Sequence, residues 1–155
     1  MGLEAIQAAA AERVGPDAGY AGKVTPEEAW RLLSEDPNAV LVDVRTQPEW
    51  MFVGVPDLGG VAAELVCVEW QVFPAMSEDP DFAEKLAARG VTADKTAMFI
   101  CRSGNRSASA ARAMTAAGVA RCYNLIDGFE GVLDGERHRG ARGGWKAMGL
   151  PWVQG

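Results

Sequence analysis

The 155-residue sequence has the length of one compact domain, and with 48% apolar and 23% charged residues it can form a sizeable core. Its formal net charge of −6 and isoelectric point near 4.8 disfavour nucleic acid as a partner, because phosphate binding calls for a basic surface. No apolar run approaches the roughly 20 residues of a membrane-spanning helix, so we expect no membrane partner.

The chain is predicted to begin with a short segment that precedes one domain. Residues 1–20 are expected to be a helical or loose lead-in, because the alanines at 8–11 favour helix and Gly15-Pro16 ends it. Residues 21–155 are expected to form a single domain.

The first helix of this domain is predicted to begin after Thr25. Pro26 fits the first helical position, and Glu28 has the spacing of a capping box. Residues 39–44 are almost continuously apolar, which is typical of a strand covered on both faces in a parallel sheet. Residues 46–60 contain several prolines and glycines and are expected to be irregular.

The rest of the chain is predicted to alternate between strands and helices. This alternation indicates an α/β fold with a mainly parallel sheet, in which ligands bind beyond the carboxyl ends of the strands. Cys101 and the Asp43–Arg45 segment lie at such ends. The expected elements are a strand at 64–70, a helix between Pro80 and Gly90, a strand at 96–100, a helix at 107–117 and a strand at 121–125.

Cys101 stands at the turn between a predicted strand and a predicted helix. The first amides of a helix have no partner within the helix, and Gly104 lets the loop curl without a clash. Arg102 and Arg106 add positive charge. We therefore expect inward-facing amides from Arg102 to Ser107 to hold Cys101 as a thiolate nucleophile. The alternative, a small inert core cysteine, is disfavoured by the polar, glycine-containing loop.

The loop at 101–107, Cys-Arg-Ser-Gly-Asn-Arg-Ser, resembles the active-site loop of rhodanese-like sulfurtransferases. Residues 41–45, followed by Glu49-Trp50, and the chain end from Asp127 to Trp152 resemble further segments of that family. The resemblance implies a rhodanese-like α/β fold, with a five-stranded, mainly parallel sheet and helices on both faces.

The resemblance implies a sulfurtransferase that needs no metal and no organic cofactor. Cys101 would take a sulfane sulfur from a small sulfur-containing anion such as thiosulfate, forming a persulfide. A thiol, cyanide or a protein cysteine would then accept the sulfur. The remaining residues of the implied active-site loop are Arg102, Ser103, Gly104, Asn105, Arg106 and Ser107.

Particular roles follow for the side chains of this loop. Arg102 is expected to meet an anionic donor at the mouth of the site, and the hydroxyls of Ser103 and Ser107 to add hydrogen bonds. Arg106 is expected to brace the loop through a carboxylate.

Asp43 and Arg45 match the Asp-x-Arg pattern of the family. We expect both to support the loop from behind, with a solvated strand end as the alternative for Arg45. Residues 54–58 depart from the family, because they lack the histidine of its frequent Gly-His-Ile-Pro-Gly-Ala segment. This departure leaves the pocket wall, the donor and the partner open.

The length of the loop separates this chain from phosphatases of similar layout. Those enzymes use a Cys-x5-Arg loop that surrounds a tetrahedral phosphate, whereas Cys101 and Arg106 form Cys-x4-Arg. The histidine that usually precedes the phosphatase cysteine is replaced by Ile100. Phosphate and arsenate chemistry are therefore disfavoured.

Other residues carry weaker signals. His138 is expected to be a solvated loop residue, and Trp70 is the tryptophan with the best claim to a pocket wall. Cys67 and Cys122 are expected to pack in or near the core, and a resolving role would require one of them to approach Cys101.

Two alternatives to a sulfurtransferase stay open at this point. The protein is a persulfide carrier or partner-binding module with little turnover of thiosulfate, or it is a thiol redox or detoxification enzyme. Three cysteines without a Cys-x-x-Cys pair, and an N-terminus unlike a secretory signal, favour a cytoplasmic location.

Overall fold

The computed structural model describes residues 2–154. Its helices are α1 (Leu3–Val14), α2 (Pro26–Glu35), α3 (Gln47–Phe52), α4 (Phe82–Ala88), α5 (Asn105–Ala116) and α6 (Gly144–Ala147). Its strands are β1 (Gly22–Val24), β2 (Ala39–Asp43), β3 (Val55–Pro56), β4 (Glu64–Cys67), β5 (Gln71–Val72), β6 (Ser77–Glu78), β7 (Thr96–Ile100), β8 (Arg121–Leu125) and β9 (Trp152–Val153).

The main sheet has five strands in the order β1-β8-β7-β2-β4, and every neighbouring pair is parallel. Two small antiparallel pairs, β3 with β9 and β5 with β6, lie outside it. The predicted α/β fold is therefore confirmed.

Successive side chains of each strand point to opposite faces of the sheet, so the strands contribute to two cores. The core with α1, α2 and α6 contains Leu41, Met98 and Leu125. The opposite core, with α4 and α5, contains Val42 and Phe99. Both faces are covered by helices, which explains why β2 and β7 are buried along their whole length.

The N-terminal part of the chain forms two helices whose signals are present in the sequence. Thr25 caps α2 as expected, because its Oγ1 accepts from Glu28 N at 3.1 Å and its N donates to Glu28 Oε1 at 2.9 Å. The lead-in contains a helix, α1, whose Ile6 and Ala10 are buried. A Cβ on Gly22 would lie 2.5 Å from the Ala10 carbonyl carbon, so glycine allows this close approach.

The prediction of an irregular segment over residues 46–60 is wrong in its first half, where α3 forms. The backbone N and the hydroxyl of Thr46 donate to Glu49 Oε1, at 3.3 and 3.0 Å. The Thr-x-x-Glu spacing that marks α2 therefore also marks α3. Pro48 does not prevent this helix, because the first turn needs no hydrogen bond from its nitrogen.

The prediction of a strand at 64–70 is too long, because β4 ends at Cys67 and a hairpin of β5 and β6 follows. The helix predicted from residue 107 begins two residues earlier, at Asn105. Within residues 2–154, no helix combines the length and apolar character that crossing a membrane requires.

Candidate active site

The sulfur of Cys101 lies between the end of β7 and the beginning of α5. Its Sγ is 3.1 Å from Gly104 N, which donates to it, and 3.2 Å from Ser107 Oγ. Gly104 is the N-cap of α5 and has a φ of 112°, a conformation that glycine adopts more readily than other residues. The positive end of the helix dipole therefore faces the sulfur.

The expected ring of inward-facing amides is smaller than the sequence suggested. In the part of the chain that the structure describes, Gly104 N is the only loop amide that makes a hydrogen bond to Sγ. The other polar contact of Sγ comes from a side chain, that of Ser107. The left-handed turn at Gly104 aims one amide at the sulfur.

Cys101 is 1% exposed, and it is one of the residues that line an open cavity of about 350 Å³. Trp70, the expected wall residue, packs instead edge-on against Phe82, with ring centroids 5.0 Å apart. Its neighbour Gln71 is at the wall. The lining residues are Glu49, Gln71, Met76, Cys101, Arg102, Ser103, Asn105 and Arg106.

The carboxylate that braces Arg106 is that of Glu49. Arg106 Nη1 and Nη2 donate to Glu49 Oε1 and Oε2 at 2.7 and 3.0 Å. Burial alone would raise the pKa of Glu49. The hydrogen bonds and positive charge of Arg106, together with two hydrogen bonds from Thr46, instead lower this pKa below its ordinary value. The pKa of Arg106 is raised in turn, since Glu49 outweighs the effect of burial. Both side chains are therefore charged at neutral pH.

Asn124, on the neighbouring strand β8, holds the loop from below. Its Oδ1 accepts from Ser107 Oγ at 2.5 Å, and its Nδ2 donates to Gly104 O at 3.0 Å. The single proton of the Ser107 hydroxyl can point to Asn124 or to Cys101 Sγ. While this proton points to Asn124, the Ser107 oxygen can accept a hydrogen bond from a protonated Cys101 thiol. When the hydroxyl turns toward Sγ, it can donate a hydrogen bond to a thiolate.

Asp43 and Arg45 are fully buried and form an ion pair behind the loop, so Arg45 is not a solvated strand end. Arg45 Nε and Nη2 donate to the Asp43 carboxylate at 2.9 and 2.6 Å, and Nη2 also donates to Gly54 O at 2.7 Å. The guanidinium lies 4.3 Å from the centre of the Phe129 ring. Phe129 N in turn donates to Cys101 O at 2.8 Å, which links the pair to the loop.

The turn after β8 fastens the loop through its backbone. Phe129 N donates to Cys101 O, and Glu130 N donates to Arg102 O at 3.0 Å. A Cβ on Gly128 would lie 2.4 Å from Cys101 O, so only glycine allows this contact. No site role was expected for Gly128, Asn124 or Glu49 from the sequence. Glu49 was detectable from its spacing to Thr46, whereas nothing local marks the other two.

The remaining cysteines and the histidine do not join this site. His138 is exposed, and its backbone pairs with Asp134. Burial, with the charge of Asp43, raises the pKa of Cys67 to about 12, and burial raises that of Cys122 to about 11. Both thiols are free. Within residues 2–154, no group of three His, Cys, Asp or Glu side chains is arranged to hold a metal ion.

Comparisons with known proteins place this chain in one class. Residues 21–155 match the family model described as the STR4 middle domain. The chloroplastic protein named Thylakoid rhodanese-like of Oryza sativa subsp. indica is 31% identical over 134 residues, which are 85% of this chain and 25% of that protein. The chain belongs to the rhodanese-like family.

Two further proteins are similar over most of the chain. The crystal structure of Rv0390 from M. tuberculosis has a TM-score of 0.80 and 51% identity, covering 88% of this chain and 99% of that one. The uncharacterized protein RC0915 of Rickettsia conorii is 37% identical over 128 residues, 81% of this chain and 91% of that protein. Membership of the family supports a role in sulfur transfer or persulfide chemistry in general.

Proposed function

We propose that this protein is a sulfurtransferase that moves a sulfane sulfur from a donor such as thiosulfate to a thiol or cyanide through a persulfide on Cys101. The observation that carries the proposal is the place of Cys101 Sγ. It accepts the Gly104 amide at 3.1 Å, lies at the N-terminus of α5 and lines the cavity. The proposed reaction uses no metal and no organic cofactor.

In the first half of the reaction, the Cys101 thiolate attacks the outer sulfur of thiosulfate. A bond forms between Sγ and that sulfur, the sulfur–sulfur bond of thiosulfate breaks, and sulfite leaves with the electron pair of that bond. The product is a persulfide anion on Cys101. The Gly104 amide, and the Ser107 hydroxyl once turned toward the sulfur, stabilise the negative charge.

The two arginines of the cavity have different tasks in this proposal. Arg106 is already paired with Glu49, so it stiffens the loop and contributes little net charge. Arg102 is exposed, and within residues 2–154 its side chain makes no hydrogen bond or ion pair. Arg102 is therefore the cation free to meet the sulfite end of the donor, and we assign that role to it.

In the second half of the reaction, an acceptor thiolate or cyanide attacks the terminal sulfur of the persulfide. The bond between this sulfur and Sγ breaks, and Cys101 returns to the thiolate. The products are a persulfide of the acceptor or thiocyanate, so two successive displacements should give ping-pong kinetics.

A persulfide carrier or partner-binding module with little thiosulfate turnover is the second candidate. It is favoured by the exposed apolar side chain of Met76 at the cavity wall and by that of Phe73 on the same hairpin, which an inorganic donor does not need. For either function we propose that residues 21–155 form the active domain and residues 1–20 its lead-in. We also propose a cytoplasmic location, because the free thiols of Cys67 and Cys122 fit a reducing compartment.

Incubation with thiosulfate under anaerobic conditions tests the proposal. We expect Cys101 to gain the mass of one sulfur atom while sulfite is released, and to lose that mass when cyanide or a thiol is added. Cys67→Ala should behave like the parent protein, whereas folded Cys101→Ala should do neither. An adduct without turnover would favour the carrier. The absence of an adduct would exclude thiosulfate as the donor, and Cys101-dependent hydrolysis of an aryl phosphate would exclude both candidates.

A further inference from the structure

The hairpin of β5 and β6 presents an apolar tip to solvent. Val72, Phe73 and Met76 expose 39%, 54% and 36% of their surfaces, and Pro74 and Ala75 between them are also exposed. Exposed apolar residues that cluster in this way commonly mark an interaction surface, whereas scattered ones are ordinary. We call Val72, Phe73 and Met76 the hairpin tip.

The hairpin tip adjoins the reactive cysteine. Met76 and Gln71 line the cavity that contains Cys101. Met76 has a φ of 56°, an uncommon conformation for a residue with a side chain, and its N donates to Val72 O at 2.8 Å. The fold therefore keeps a large apolar side chain at the cavity wall in a backbone conformation that would suit glycine better.

The cavity also carries a cation that no carboxylate neutralises. Arg102 lines it and is exposed, and no ion pair of its side chain occurs within residues 2–154. A molecule that fills the mouth therefore meets an apolar surface and a free positive charge. An inorganic anion can use the charge but gains nothing from Phe73 or Val72.

We propose that the hairpin tip docks a partner protein, which presents to Cys101 an exposed cysteine flanked by apolar residues and a carboxylate. The proposed docking depends only on the hairpin tip and Arg102, whereas the sulfur exchange rests on the proposed function. In that exchange the partner thiolate attacks the terminal sulfur of the Cys101 persulfide, leaving the Cys101 thiolate and a partner persulfide.

A second copy of this chain fits the surface less well than such a partner. Cys67 and Cys122 have pKa values raised to about 12 and about 11, so a copy offers few thiolates from them at neutral pH. Cys101 is only 1% exposed and cannot protrude into another cavity.

A pair of synthetic peptides tests the docking. Each contains one cysteine next to an aspartate, flanked by leucines in one peptide and by serines in the other. The cysteine is activated as a mixed disulfide with thionitrobenzoate, which is released when Cys101 attacks. We expect the leucine peptide to react about tenfold faster, since burial of anchors of this size is worth a factor of this order. Phe73→Ser should remove most of this preference.

Two controls separate docking from general damage. Phe52→Ser removes a phenylalanine that is 71% exposed but lies at the end of α3, outside the hairpin tip, and it should keep the preference. Hydroxyethyl disulfide is too small to reach the hairpin tip while it reacts. Cys101 should attack it, with release of mercaptoethanol, equally fast in the parent and in Phe73→Ser.

Equal rates for the two peptides would overturn the proposal. So would a Phe73→Ser variant that slows hydroxyethyl disulfide as much as the leucine peptide, or a dimer in sedimentation that Phe73→Ser dissociates. Anisotropy of a dye-labelled leucine peptide with Cys101→Ala measures docking without any reaction, and Phe73→Ser should weaken it. Failure of thiosulfate to load Cys101 would overturn the proposed function and leave this binding result unchanged.

Discussion

Cys101 and Cys67 occupy corresponding places in the fold but differ in their surroundings. Each lies at the carboxyl end of a parallel strand, after β7 and at the end of β4, and each lines a cavity with arginine nearby, of about 350 and 440 Å³. Cys101 Sγ accepts the Gly104 amide, whereas Cys67 Sγ has no hydrogen bond within residues 2–154. Burial and Asp43 raise the pKa of Cys67 to about 12.

If Cys101 is the nucleophile, as we propose, a cavity and a nearby arginine are not enough to make a cysteine reactive, since Cys67 has both. Cys101 is followed by a glycine turn and a helix, so a free amide and a helix N-terminus meet at its sulfur. Cys67 is followed by the chain that enters the hairpin, and its register neighbour on β2 is the buried Asp43. In the proposed function, the backbone conformation after each cysteine therefore decides which one serves as the nucleophile.

The largest expected effect comes from exchanging the two cysteines for alanine. Cys101→Ala should lower sulfite release from thiosulfate by at least about a thousandfold, as loss of a nucleophile does, and Cys67→Ala should leave it unchanged. With a pKa of about 12, Cys67 has only about one part in ten thousand of thiolate at pH 8, so iodoacetamide should label Cys101 first. Equal rates of labelling of Cys101 and Cys67 would contradict the proposed difference in reactivity between them.

A substitution of Glu49 tests whether its ion pair with Arg106 stabilises the Cys101 loop. Glu49→Gln should lower the free energy of unfolding by about 2 kcal/mol, because two charge-assisted hydrogen bonds of a half-buried pair are weakened. Glu35→Gln, which weakens an exposed ion pair on α2, should leave stability nearly unchanged. Urea unfolding measures both, and similar losses would contradict the assignment.

The same pair predicts a pH dependence. The pKa of Glu49 is lowered in the folded state, so its stabilisation is fully present above its unfolded value, about 4.3, and is lost as pH falls through the folded pKa. The difference in stability between the parent protein and Glu49→Gln should therefore shrink below about pH 4. A constant difference down to pH 2 would show that ionisation of Glu49 is not involved.

Arg102 and Arg89 are the matched cations of the two cavities. Arg102→Ala should lower kcat/KM for thiosulfate about tenfold and leave the alkylation rate of Cys101 unchanged, because Arg102 is proposed to meet the donor. Arg89→Ala should change neither rate. If Arg102→Ala slowed alkylation to the same degree, Arg102 would act on the sulfur rather than on the donor.

The smallest effect is expected from two glycines with nearly the same backbone conformation. Gly104 has a φ of 112° and Gly118 of 110°, and no atom would lie within 4 Å of a Cβ on Gly118. Either change to alanine should cost about 1 kcal/mol of stability through backbone strain. Gly104→Ala alone should also slow sulfite release several-fold, since it disturbs the amide at Sγ. Equal rates in both variants would rule out this use of the amide.

Features that depend on neighbouring residues were predictable from the sequence. The apolar runs of β2 and β7, the cap of α2 at Thr25 and the Cys101 loop with its glycine all follow from local periodicity and backbone preference. These features led to the α/β fold, which the structure confirms. The helix α3 is also encoded locally, but Pro48 in its first turn makes the segment resemble an irregular one.

The partners of the cysteine loop were decided by the tertiary structure. Glu49 reaches Arg106 across 57 positions of the chain, and Asn124 reaches Gly104 across 20. The strand order β1-β8-β7-β2-β4 places β2 and β8 on either side of β7, and thereby brings these side chains to the same end of the sheet. Local propensity determines where a strand or helix begins, but the contacts of the whole core determine which strands become neighbours.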